Sequence, residues 1–166
     1  MTASAHPAKL PAFADSAFAV DAALAERQVA GIVAYFETLS PESVTRLGEF
    51  YAAQAHFTDP FNQVAGVPAI QAIFAHMFDA LRQPRFVVTQ QVRQGHQCFL
   101  TWEFRFYFSN YKVAQEQVIL GASHLVLNDT GLITVHRDYW DAAQELYEKL
   151  PVVGGLMRWL KARVNS

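Results

Sequence analysis

Cysteine is nearly absent from this chain, with Cys98 alone among 166 residues. One thiol excludes an internal disulfide and fits a reducing compartment. It sits in an apolar run, where a thiol reads as a core side chain rather than a nucleophile. Charge is scarce as well: charged residues make up 17% and apolar residues 52%, which excludes a disordered chain. The formal net charge of −2 shows no basic excess, so nucleic acid is not an expected partner. No apolar run approaches the ~20 residues of a membrane span. The N-terminus lacks a basic stretch followed by an apolar core, so no export signal is evident and the expected location is cytoplasmic. Internal repeats and low-complexity tracts are missing too, which leaves one domain of ordinary size.

Aromatic side chains are what the sequence has in excess. Thirteen Phe, six Tyr and three Trp exceed the need of a minimal core. The surplus fits a ligand cavity or a hydrophobic dimer face.

Periodicity orders the chain as helices first and strands after. Residues 1–17, rich in Ala, Pro and Ser, read as a flexible arm. Leu24, Val29, Ile32, Val33 and Phe36 form an apolar stripe at helical spacing between about Val20 and Thr38. Ser40-Pro41-Glu42 predicts the cap and first turn of a second helix carrying Val44, Leu47, Phe50 and Tyr51. Gly66-Val67-Pro68 opens a third helix, through about Leu81, with Ile70, Ile73, Phe74, Met77 and Phe78 inward. Beyond Pro84 the period becomes two. Trp102, Phe104, Phe106 and Phe108 alternate with Thr101, Glu103, Arg105 and Tyr107, the pattern of a half-buried strand. Turns are expected at Ser109-Asn110-Tyr111 and at Asn128 to Gly131, with strands from about Val113 to Leu127 and from Leu132 to Tyr139. Such an order predicts an α+β fold with an antiparallel sheet. Residues 142–166 read as a helical tail whose last part, around Trp159, is basic and amphipathic. It reads as a helix docking on its own domain or a partner, with membrane-surface contact as the alternative.

Two segments place a carboxylate among aromatic and apolar neighbours: Phe57 to Asn62 around Asp59, and His136 to Asp141 around Asp138. An acid there is costly to bury unless it is paired or used, and a pocket carboxylate is a ready proton-transfer group. The alternative for Asp59 is a turn in which it accepts backbone N–H groups before Pro60. Period two places His136, Asp138 and Trp140 on one face, and Arg137 and Tyr139 on the other. His136, Asp138 and His124 could also form a metal site, but nothing fixes further ligands and no metal is expected.

Tyr35, Tyr51 and Asp59-Pro60, spaced 16 and 8 apart, with Gly66 and Trp140, resemble the nuclear transport factor 2-like superfamily. That superfamily includes ketosteroid isomerases, SnoaL-like polyketide cyclases and limonene-1,2-epoxide hydrolases. The resemblance covers roughly residues 18–141. It implies a cone-shaped, curved antiparallel sheet, a cystatin-like roll, covered by three N-terminal helices and followed by a C-terminal helix. It also implies a small apolar ligand between helices and sheet, no cofactor, and a homodimer through the outer face of the sheet.

By this resemblance Asp59 is the general base and Tyr35 an oxyanion donor. Ser123 stands where the isomerases carry a protonated acid, the position of the ketosteroid isomerase example of pKa tuning. His136 and Asp138 would orient substrate or water, with Ser123, Trp140, Phe104, Phe106, Phe74 and Tyr51 contacting the ligand. The ending Arg137 to Asp141 resembles the epoxide hydrolases, and Glu103 and Arg105 offer the remaining residue types of their acid–arginine–acid trio in reversed order. Burying the four aromatics of that strand is favourable by several kcal/mol at ~25 cal/mol per Å2, whereas burying an ion pair is neutral or costly. Glu103 and Arg105 are therefore expected outside. The readings carried forward are isomerase- or cyclase-type acid–base catalysis, a non-catalytic ligand- or partner-binding module, and epoxide hydrolysis.

Overall fold

A computed structural model describes residues 22–109 and 114–142. Helix α1 spans Ala22–Glu37, a short 3-10 helix Ser43–Glu49, and helix α2 Val67–Ala80. Strands β1 (Tyr51–Thr58), β2 (Gln63–Ala65), β3 (Leu81–Gln94), β4 (Gln97–Phe108), β5 (Gln117–Leu127) and β6 (Ile133–Tyr139) form one curved, unclosed sheet in the order β2-β1-β6-β5-β4-β3. The helices cover its concave face. The expected arm, Asn110 and Tyr111 of the expected turn, and all but the first residue of the C-terminal tail lie outside the described residues.

The expected α-helix at Pro41 is instead a single 3-10 segment. Its sequence, Ser-Val-Thr-Arg-Leu-Gly-Glu, combines β-branched residues with Gly48 and has little intrinsic helicity. The Ser40 hydroxyl accepts the Ser43 N–H, and Val44 N–H reaches Ser40 O, so the turn still satisfies its first donors. Tyr51 belongs to β1 rather than to that helix. A second difference concerns the sheet: β1 pairs with β6 in parallel, with Phe57 beside His136, while the remaining pairs are antiparallel. A parallel neighbour distant in sequence leaves no local signal for periodicity to detect.

Val29, Ile32 and Phe36 of α1 and Ile70 and Phe74 of α2 bury against Leu100, Trp102, Phe106 and Leu125 of the sheet. Gly66 supplies the positive φ, 88°, that turns the chain from β2 into α2 while its N–H bonds Ala55 O. Cys98 is fully buried, and burial pushes its thiol up to about 11, so it packs as a small apolar side chain.

The face rule of β4 decides the site. Trp102, Phe104, Phe106 and Phe108 turn inward, whereas Glu103 and Arg105 pair outside, Arg105 reaching Glu103 at 2.6 Å and Glu116 at 3.0 Å. Gly121 on β5 lies opposite Trp102, and a Cβ built there would meet the indole at 2.2 Å. The indole occupies the space that any other residue would fill. Gly121→Ala is therefore expected to cost about 1–3 kcal/mol by overpacking, measured by urea unfolding, with a change in tryptophan emission as the ring is displaced.

Candidate functional site

Register brings four strands to one point on the concave face. Ser123 of β5 is the direct partner of Asp138 on β6, and Trp102 lies two positions along on β4, over the bare backbone of Gly121. Tyr51 enters from β1. The result is a hydrogen-bond chain that ends on a single oxygen. Trp102 Nε1 donates to Ser123 Oγ at 2.8 Å, and Ser123 Oγ donates to Asp138 Oδ1 at 2.5 Å. His136 Nε2 lies 2.8 Å from the same Oδ1 and 3.3 Å from Ser123 Oγ, while His136 Nδ1 lies 2.5 Å from Tyr51 Oη.

The protons of this chain can be assigned. Indole N–H can only donate, so Ser123 Oγ accepts from it and gives its own proton to Asp138. Burial, with Asp138 and Tyr35 nearby, holds the Tyr51 hydroxyl well above its ordinary range. Tyr51 therefore keeps its proton, and with the ring as the Nε2–H tautomer it donates to Nδ1 while Nε2–H donates to Asp138. His136 is nearly inaccessible, flanked by Phe36 and Phe57. Asp138 is 14% exposed in its side chain. Its Oδ1 accepts two hydrogen bonds, and Oδ2 has no protein partner among the described residues.

Asp138 borders a cavity of about 450 Å3 between the sheet and α2, within the size range of small-molecule sites. Phe74, Phe104, Phe106 and Trp140 line it, together with Trp102 and Phe57. A narrow void of about 20 Å3 continues past Asp138 to Ser123 and His136. Phe61, half exposed, packs edge-on against Trp140 at the mouth.

Asp59 and Asp138, nearly eighty positions apart, border the same cavity. Asp59, however, is occupied. Its Oδ1 accepts Phe61 N–H at 2.7 Å and Asn62 N–H at 2.6 Å, and the Asn62 amide spans both oxygens at 3.0 Å. That is the Asx-turn alternative, and it makes Asp59 a brace for the Phe61 loop. Tyr35 does not line the cavity. Its hydroxyl donates to Ser43 O at 2.8 Å, anchoring α1 to the 3-10 helix, so the oxyanion role expected of it does not fit. Burial raises its pKa further. Tyr51, expected to contact ligand, is buried behind His136. Ser123, expected to contact the ligand at the position of the isomerases' protonated acid, donates its proton to Asp138 instead.

Sequence reasoning missed Trp102 as a hydrogen-bond donor and Phe57 and Phe61 as lining residues. A glycine inside a strand, Gly121, was the available signal of a close approach. His124, third in the metal option, stacks on Phe99 at 4.4 Å on the outer face, away from His136. Among the described residues no cluster of metal-ligating side chains forms, and no helix is long and apolar enough to cross a membrane. Tyr51→Phe is expected to leave Nδ1 of His136 without its donor and cost about 1–3 kcal/mol. Nitrogen NMR should show the Nε2–H tautomer in the wild type and a mixture of tautomers in the variant.

None of the curated proteins matches the chain in sequence. Solved structures do match in shape. A protein from Catenulispora acidiphila with a ketosteroid isomerase-like fold, in complex with trimethylamine, has a TM-score of 0.62 and 17% identity, covering 72% of this chain and 88% of its own. A Jannaschia protein described as a SnoaL-like polyketide cyclase has a TM-score of 0.62 and 15% identity, over 73% and 90%. The LEH-like epoxide hydrolase of M. tuberculosis has a TM-score of 0.59 and 15% identity, over 86% and 96%. At such identities the likeness is one of fold. In sequence, residues 32–136 match the SnoaL-like domain family, a segment that holds α2, β1 to β5 and the start of β6, and this chain belongs to that family.

Proposed function

We propose that the cavity binds a small, mostly apolar molecule and that Asp138 exchanges a proton with it, as a cofactor-independent isomerase or cyclase would. One observation carries this reading: a mostly buried carboxylate with one oxygen saturated by Ser123 and His136 and the other unpartnered beside an aromatic cavity. Fixing Oδ1 orients the carboxylate, so its free oxygen faces a bound molecule without reorganisation. His136 is a positioning residue, held in one tautomer by Tyr51. The neighbours described as cyclase and epoxide hydrolase support small-molecule chemistry in this fold, and the trimethylamine complex supports ligand entry.

Epoxide hydrolysis of the limonene type is the less supported reading. It needs Arg105 beside Asp138, and Arg105 is held on the opposite face by Glu103 and Glu116.

Ring-opening of nitrobenzisoxazole, a neutral aromatic C–H acid, tests the base without knowledge of the natural substrate. The wild type should accelerate it, and Asp138→Asn should lose about 100-fold or more of that rate while still binding the neutral dye N-phenylnaphthylamine. Dye binding without rate enhancement would favour the non-catalytic binding module instead.

The outer face of the sheet carries exposed Val92, Phe99, Leu120 and Tyr139, and supports a homodimer through that face. Sedimentation should give a dimer, and Leu120→Lys should shift it to monomer; a monomeric wild type would exclude the dimer.

A further inference from the structure

The cavity wall has a one-sided charge pattern. Among the described residues it contains two carboxylates, Asp59 and Asp138, and neither lysine nor arginine. Seven phenylalanines and two tryptophans make up half of it. The face of an aromatic ring is the negative part of its quadrupole, so such a wall attracts a cation and repels an anion.

Donor protons are scarce for a second reason. Those nearest Asp138 are used within the protein: Trp102 Nε1–H on Ser123, Ser123 O–H and His136 Nε2–H on Asp138. At the mouth, the Asn62 amide is turned onto Asp59. The other polar residue on the wall is His76, on the exposed side of α2. Arg137, next to Asp138 on β6, lies over the outer-face ring of Tyr139 at 5.2 Å, and Arg85 and Arg105 are tied to Glu116 on that same face. A carboxylate, phosphate or enolate head in this cavity would meet acceptors and ring faces. A cationic head would meet the unpartnered Oδ2 of Asp138 and the rings around it.

Resting on the reading of this cavity as a small-molecule site, we infer that its ligand is an apolar amine, bound as the ammonium ion at Asp138. The ammonium head takes up Oδ2, and the apolar body lies along the β4 row of Trp102, Phe104, Phe106 and Phe108. The carboxylate and the rings act together, because an ammonium ion leaving water needs both a counter-charge and a soft surrounding surface.

Calorimetric titration with three probes that share one apolar body tests this: naphthylethylammonium, naphthylethanol and naphthylacetate at neutral pH. The ammonium should bind at least about tenfold more tightly than the alcohol, and the acetate should not bind. Asp138→Asn should erase the preference for the ammonium while leaving affinity for the alcohol. Equal affinity for ammonium and alcohol would overturn the inference and leave the apolar site standing, as would preferential binding of naphthylacetate. Binding of none of the three would remove the small-molecule reading along with it. Should the variant fail to fold, the wild-type order of the three affinities decides alone.

Discussion

A carboxylate held inside an aromatic domain is the constraint on which the rest of this structure depends. Asp138 is mostly buried, and a buried charge is tolerated only with strong hydrogen bonds in compensation. The fold supplies them from three directions: Ser123 from the adjacent strand, His136 from two positions earlier, and behind these Trp102 and Tyr51. The indole can only donate, so Ser123 accepts from it and gives its own proton to Asp138. A network so determined fixes register and side-chain rotamers together. A slip of one residue between β5 and β6 would turn Ser123 or Asp138 to the other face and strand the charge.

The same sheet separates apolar from ionic work by face. Along β4 the aromatic row faces the helices and the cavity, while Glu103 and Arg105 join Arg85 and Glu116 outside. The outer ion pairs are half exposed and contribute little to stability, but they keep cations away from the cavity. Electrostatics inside are therefore set by Asp138, Asp59 and the ring faces. Fold likeness at 15 to 17% identity transmits the architecture, and the chemistry is read from the side chains that this chain places there.

Much of the architecture was legible because its signals are local. Helical spacing in Val29, Ile32 and Phe36, the Gly-Val-Pro entry to α2 and the two-residue period of β4 each follow from burial of one face. The 3-10 segment was less legible, since a capping motif announces a helix start without saying how far weak helix formers will continue it. The site divided along similar lines. Placing Asp138, His136 and Trp140 on one face needed only strand alternation. Assigning Asp59 and Tyr35 to catalysis came from spacing, and spacing cannot show that nearby N–H groups or a carbonyl already occupy those polar atoms.

What the sequence by itself determined is the class of fold, the aromatic wall and the sidedness of each strand, because these follow from hydrophobic period along one segment. Only the tertiary structure decided which acid is free. Tyr51, Trp102 and Ser123 reach Asp138 and His136 through the parallel pairing of β1 with β6 and the register of β4, β5 and β6. Hydrogen bonds between residues 15 to 85 positions apart leave no periodic trace in the chain. They exist only once the strands are side by side, and it is they that satisfy one oxygen of Asp138 and leave the other beside the cavity.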